Sequence, residues 1–167
     1  MLTQRPVDLT ADRDFLLDLA CLASYEALPV SYRQQPYPGY RRAWLESPRP
    51  QGFLDRLKTS IADPRTVAEI WLEDEQKMGF LWLSFEDSPQ QRIVATLNGL
   101  VVSPSHRRRG IGTMMLQAVE KMAREGHAGV LRVETRIDND WAQMRYQNAG
   151  FTVAGLLYEK VLEGGDV

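Results

Sequence analysis

Hydrophobic positions in the first half of the chain follow helical spacing in two places. Apolar residues recur at helical intervals from Phe15 to Ala23, which predicts an amphipathic helix capped by Thr10 or Asp12 and ending near Ala27. A weak strand over residues 2–9 is predicted before it, and a helix over 53–62 is predicted to end at Asp63-Pro64. Residues 28–52 are rich in proline, tyrosine and arginine, so we expect an irregular segment with one short helix near 41–46.

The second half of the chain alternates strand and helix signals. Strands are predicted over residues 66–72, 78–85, 93–102 and 130–137, and residues 151–162 are predicted to form one bent strand or two short ones. Helices are predicted over 110–125, with Gly126 as a stop, and over 139–149. The order is mixed α/β, and a chain of 167 residues is most simply one domain, 1–167.

A basic loop with two glycines lies between the strand at 93–102 and the helix that follows. It contains Arg107-x-x-Gly110-x-Gly112, and the start of a helix attracts anions because its first N–H groups have no intrahelical partner. The spacing differs from a P-loop and from Gly-x-Gly-x-x-Gly, since Met115 stands where the third glycine would be. The loop therefore predicts a pyrophosphate site of another kind.

A second block, Asn139-x-x-Ala142-x-x-x-Tyr146-x-x-x-Gly150-Phe151, follows one helix and one strand later. Asn139, Ala142 and Tyr146 lie on one face of the predicted helix. Asp138 or Asn139 suits its N-cap, and Gly150 suits the left-handed position at its end.

The two blocks together resemble the GNAT superfamily of acyl-CoA N-acyltransferases. The resemblance implies a mixed, mostly antiparallel central sheet with splayed central strands, flanked by four to five helices, and it places the CoA-binding and catalytic part at 97–162. Acetyl-CoA is the implied acyl donor, without a metal. The residues implied to hold it are Leu100, Val101, Val102, Arg107, Arg108, Arg109, Gly110, Ile111, Gly112, Thr113, Asn139, Ala142 and Tyr146.

Family resemblance also implies the catalytic acid, Tyr146, which would protonate the departing thiolate. Many relatives carry a glutamate where this chain has Asn98, so Glu134 is the alternative base, at a spacing similar to that of the ribosomal-protein alanine N-acetyltransferases. An ion pair of Glu134 with Arg132 or Arg136 is an equally good interpretation. Glu73, Asp74 and Glu86 remain open as bases.

The acceptor is expected to be a primary amine of a small molecule or peptide. Residues 28–52 and the helix before them are expected to shape its pocket, with Tyr25, Glu26, Tyr32 and Tyr40 as weak candidates. Glu26 and the acidic turn at 73–77 would attract an amine. A polyamine, an aminoglycoside, an amino acid and a peptide N-terminus all remain open.

Charge and composition argue against several other classes. The net charge of −2 gives no overall attraction for nucleic acid, and Cys21 is the single cysteine, which excludes an internal disulfide. His106 and His127 lack metal-ligand spacing, and the absence of a long apolar span or leader predicts a cytoplasmic protein without membrane contact. A homodimer is left open. The alternative function is an acyl-CoA-binding sensor or structural subunit without turnover.

Overall fold

The computed structural model describes residues 1–158 apart from Gln34 and Gln91. These residues form two compact units, Met1–Glu134 and the segment that begins at Thr135. The first unit contains, in chain order, β1 (Leu2–Pro6), α1 (Arg13–Glu26), α2 (Tyr37–Glu46), α3 (Arg49–Ile61), β2 (Val67–Glu73), β3 (Gln76–Asp87), β4 (Ile93–Val102), α4 (Ile111–Glu125) and β5 (Ala128–Val133). The second contains α5 (Asp140–Asn148), and short 3₁₀ turns occur at Val30–Tyr32 and Pro104–His106.

The sheet has the order β1-β2-β3-β4-β5 and is antiparallel except for the parallel pair β4–β5. Pairing of β4 with β5 ends at Leu97 and Val133, whereas β4 continues to Val102. The edge of β4 beyond Leu97 therefore has no strand partner within the described part of the chain. This arrangement confirms the predicted mixed, mostly antiparallel sheet with separated central strands.

Helices cover both faces of this sheet. On one face, Leu16 and Leu19 of α1 and Leu57 of α3 pack with Ile70 and Phe80 in a common core. On the other face, α4 lies against β4 and β5 and buries Ile111, Met115, Leu116, Val119 and Ala123. The described residues contain no helix long and apolar enough to cross a bilayer.

The prediction for residues 28–52 was wrong, because most of this segment is helical. Pro38 and Pro50 lie in the first turns of α2 and α3, where a missing N–H breaks no intrahelical hydrogen bond. The two prolines therefore begin helices here, and α3 starts at Arg49, ahead of the predicted residue 53.

Two strand predictions also need correction. The strand predicted to reach residue 137 ends at Val133, where its pairing with β4 ends. Residues 151–158 form no strand, and Val153 and Leu157 are 74% and 86% exposed. Residues 159–162 of that prediction lie outside the described residues. Alternating apolar residues form a strand only where a neighbouring strand accepts their hydrogen bonds.

Asp12, one of the two residues predicted to cap α1, does not cap the helix with its side chain. Asp12 occupies the N-cap position but makes no capping hydrogen bond with its side chain. Its carboxylate is fully buried and accepts hydrogen bonds from Arg5, 2.7 Å away, while Lys77 lies 2.7 Å from Oδ1. Asp8 instead accepts the N–H groups of Thr10 and Ala11. The Asp12 carboxylate thus pairs with two cations and does not cap α1, as the sequence had predicted it could.

Candidate active site

A short, internally bonded turn connects β4 to α4. The N–H of the buried Ser103 donates to the Met78 carbonyl at 2.8 Å, which ties the turn to β3. Nδ1 of His106 lies 2.7 Å from Oγ of Ser103 and 2.9 Å from Oγ of Ser105. His106 therefore helps to hold the turn together.

The backbone of the following loop forms a concave set of donors. Arg108 and Gly110 have left-handed φ angles of 61° and 77°. Among the described residues, none accepts a hydrogen bond from the backbone N–H groups of residues 108–112. Such a concavity at a helix N-terminus binds anions, and a Cβ added at Gly110 would meet open space. The loop thus has the donors, the dipole and the room that a pyrophosphate requires.

The three loop arginines have different partners. Arg107 donates through both terminal nitrogens to the Glu26 carboxylate, at 2.6 and 3.1 Å, and through Nε to the Val102 carbonyl at 3.0 Å. Arg109 donates to Glu73 at 2.7 Å. Arg108 is exposed, and its side chain has no polar partner in the described part of the chain. Arg108 is therefore the loop arginine whose charge has no partner among the described residues. Glu26, which was a candidate for attracting the acceptor amine, is bonded to Arg107.

The unpaired part of β4 presents backbone groups to the gap beside it. The Ser103 N–H donates to β3. The Val102 carbonyl accepts from Arg107 instead and therefore points to the side of β4 away from β3. Because directions alternate along a strand, the N–H and C=O of Leu100 point to the same open side as those of Val102. Leu100 is thus free to bond an extended ligand along this edge, while the Val101 side chain packs toward α1 and α3.

A cavity of about 370 Å³ opens on the face of the sheet covered by α1 and α3. Small residues of α1, among them Ala20 and Ser24, leave room on one side, and Phe53 and Trp82 form aromatic walls. The cavity reaches β4 at Asn98 and Gly99.

Asn98 is the extra residue of a bulge in β4, since Trp82 pairs with Gly99 and Leu83 pairs with Leu97. Its Nδ2 donates to Ser84 Oγ at 2.8 Å. The bulge breaks the pairing pattern at the point where the cavity meets the unpaired edge of β4.

The tyrosines proposed for the acceptor pocket lie outside the cavity lining. Tyr25 packs with Tyr40 at 5.1 Å between ring centroids, and the Tyr40 hydroxyl accepts from Arg49 at 3.2 Å. Tyr32 is 53% exposed. Arg49 itself lines the cavity, together with Arg56.

Arg49 and Arg56 are cavity residues that sequence analysis missed. They lie at i and i+7 on α3. Their common helix face could not be recognised from the sequence, because the helix was predicted to begin four residues after Arg49. Correct placement of Pro50 in the first turn would have shown both arginines on one helix face.

In the second unit, α5 begins and ends as predicted. Oδ1 of Asn139 accepts from the Ala142 N–H at 3.2 Å, which caps the helix. Gly150 has a φ of 89°, and the Gly150 and Phe151 N–H groups donate to the Gln147 and Tyr146 carbonyls at 2.9 and 3.0 Å. This is a Schellman end, and it brings the Phe151 ring within 5.5 Å of the Tyr146 ring.

The Tyr146 hydroxyl is suited to hold a proton. Burial raises the pKa of Tyr146 above its ordinary value, and the nearby Arg145 charge offsets only part of this increase. The phenol therefore stays protonated at neutral pH and can act as a proton donor.

The structure separates the carboxylates considered as bases. Glu134 follows the end of β5, is exposed, and has no ion pair with another described residue of its unit, in which Arg132 lies 3.8 Å from Glu86. Glu73 is bonded to Arg109, and Asp74 is paired with the N-terminal amine. Glu134 is thus the carboxylate of this group without a cationic partner in the described residues.

Known proteins provide an independent comparison. The sequence model of the acetyltransferase (GNAT) family matches residues 29–151. Mycothiol acetyltransferase of Brachybacterium faecium is 35% identical over 121 residues, which cover 68% of this chain and 36% of that protein. Streptothricin acetyltransferase of Streptomyces lavendulae is 32% identical over 115 residues, or 67% of this chain and 59% of that protein. The chain thus spans about a third to three fifths of the length of these relatives.

Solved structures agree on the fold. A GCN5-related N-acetyltransferase from Ralstonia eutropha superposes with a TM-score of 0.71 at 18% identity, covering 96% of this chain and 99% of that one. The family match covers well over half of the sequence, and the sheet with its separated central strands agrees with it. The chain therefore belongs to the acetyltransferase (GNAT) family.

Proposed function

We propose that the protein transfers an acetyl group from acetyl-CoA to the primary amine of a small molecule by direct attack. The observation that carries this proposal is the row of five backbone N–H groups, residues 108–112, that have no acceptor among the described residues at the start of α4. The CoA pyrophosphate is the ligand that family membership associates with this loop. The names of the two curated relatives, both acetyltransferases, support the reaction class.

The chain supplies a group for each need of this reaction. The loop holds the pyrophosphate, with Arg108 as its free cation, and the open backbone of Leu100 together with the N–H of Val102 holds the pantetheine arm. The neutral amine attacks the thioester carbonyl, the C–S bond breaks, and Tyr146 gives its proton to the thiolate. Before the attack, the acceptor ammonium loses one proton through water to Glu134, and after it the nitrogen loses a second proton through solvent, which restores the Tyr146 phenol. The amide and free CoA are the products.

A thiol-release assay with acetyl-CoA and a panel of amines tests the proposal. Release of free thiol that depends on the amine, with the acetylated amine identified by mass spectrometry, is the expected result. Tight binding of acetyl-CoA without release for any amine would contradict it and would identify a sensor or structural subunit.

Replacement of Gly110 by valine should lower CoA affinity at least tenfold. A valine resists the left-handed φ of 77° and places a side chain where the phosphate approaches. Calorimetry with CoA measures the loss. Gly110→Asn separates the two causes, because asparagine tolerates the left-handed region yet still adds a side chain. Unchanged affinity in both variants would mean that the pyrophosphate binds elsewhere.

Glu134→Gln should lower the rate most at neutral pH, where the acceptor ammonium must lose a proton. A higher pH should partly restore the rate, since more acceptor is then neutral without help. The pH–rate profile of the purified variant provides the measurement, and Glu125→Gln on the exposed face of α4 is the matched control. Identical profiles for Glu134→Gln and the wild type would leave Glu73, Asp74, Glu86 or solvent as the proton acceptor.

A further inference from the structure

The cavity above β4 is positively charged, although the chain as a whole carries a net charge of −2. The charged side chains that line it are Arg49 and Arg56, and no described carboxylate lines it with them. This is unexpected for a pocket that would receive a cationic amine, because like charges repel.

Neither arginine is neutralised within the described residues. Arg49 donates to the uncharged Tyr40 hydroxyl, and Arg56 makes no hydrogen bond or ion pair there. Arg5, Arg41 and Arg107, in contrast, all lie within 2.7 Å of a carboxylate oxygen. Arg49 and Arg56 are exposed and line the cavity without a carboxylate partner among the described residues.

Geometry on α3 brings the two charges to one side. The residues are seven positions apart on one helix face. A Cβ built at Gly52 would lie 3.7 Å from Nη1 of Arg56, so this guanidinium reaches back by one turn toward Arg49. Both guanidinium groups therefore lie on the side of α3 that lines the aromatic-walled cavity.

We infer that the acceptor is a small amine that also carries an anionic group, a carboxylate or a phosphate, which Arg49 and Arg56 bind while the amine lies toward Asn98 and Gly99. This inference rests on the proposed acetyl transfer. Guanidinium groups bind either anion with paired hydrogen bonds. Their charge also favours the neutral, nucleophilic form of the nearby amine. Polyamines and aminoglycosides, which carry several positive charges, are correspondingly disfavoured.

The test compares amines with and without the anion. The carboxylate arm uses the standard amino acids and their amides, and the phosphate arm uses phosphoethanolamine and ethanolamine. We expect kcat/KM for an anionic amine to exceed that of its neutral partner, and the arm with the larger difference identifies the anion. Faster turnover of the neutral or polycationic amines would overturn the inference while leaving acetyl transfer intact.

Charge-removing variants test the two arginines directly. Arg49→Gln and Arg56→Gln should raise KM for the anionic amine about 10- to 100-fold and lower kcat/KM for its neutral partner much less. Arg42→Gln, an exposed arginine of α2 outside the cavity lining, is the matched control. Equal losses for both members of a pair would assign the arginines to folding, against the inference.

Binding separates this inference from the proposed function. Calorimetry of the wild type with the preferred anionic amine should show binding that Arg49→Gln and Arg56→Gln weaken, whether or not turnover occurs. Binding without thiol release would support the charged cavity and contradict acetyl transfer. Equal binding by wild type and both variants would contradict the charged cavity.

Discussion

Replacing Tyr146 with phenylalanine is expected to lower kcat by about 10² to 10⁴-fold while the affinity for acetyl-CoA stays unchanged. In the proposed mechanism the hydroxyl acts only as the thiolate leaves, so its loss should affect the transition state and leave the ground-state complex intact. The ring remains in place and keeps its contact with Phe151, so the end of α5 should stay folded. Steady-state kinetics and calorimetry with acetyl-CoA measure the two effects.

The matched control is Tyr158→Phe, because this tyrosine is 86% exposed and its hydroxyl has no partner in the described residues. The wild-type rate should also stay constant as the pH rises to the range in which an ordinary tyrosine loses its proton. The pKa of Tyr146 is raised by burial, so its hydroxyl keeps the proton there. A Tyr146→Phe variant with the kcat of the wild type would reduce this residue to a packing role.

Replacing Asp12 with asparagine is expected to lower the free energy of unfolding by about 3 kcal/mol, the lower end of the range for a broken buried ion pair. The carboxylate is fully buried, while Arg5 and Lys77 are 38% and 31% exposed and can regain some water. Two cations would then face a neutral amide in a site built for a negative charge. Denaturant unfolding at pH 7 measures the change, and Asp14→Asn, with a side chain 98% exposed, should have little effect.

The same residue predicts an acid-sensitive component of stability. Burial by itself would raise the pKa of Asp12, but hydrogen bonds from Arg5 and Lys77 outweigh it and hold this pKa well below the ordinary value. A carboxylate with a lowered folded-state pKa stabilises above its unfolded pKa, near 3.9, and loses that contribution as pH falls further. Wild-type stability should therefore decrease below about pH 4 more steeply than that of Asp12→Asn. Parallel pH curves for the two proteins would contradict this role.

The features predicted correctly at the candidate site depend on residues close in sequence. The Asn139 cap involves the N–H of Ala142, three residues later, and the left-handed Gly150 completes a motif that begins at Tyr146. The loop at 107–113 also combines a left-handed glycine with the first turn of a helix. Such motifs are set by backbone sterics and local hydrogen bonds, which neighbouring side chains already specify.

The sequence by itself determined the order of elements through α5, the family, and the left-handed glycine loop at the start of α4, because hydrophobic periodicity and glycine placement act locally. The tertiary structure decided which charged side chains form pairs and which do not. It joined Arg107 to Glu26, 81 residues away, and Lys77 to Asp12, while it left Arg49 and Arg56 facing the cavity. Which charges meet depends on strand register and helix packing, and these follow from burial of the whole core rather than from any local pattern.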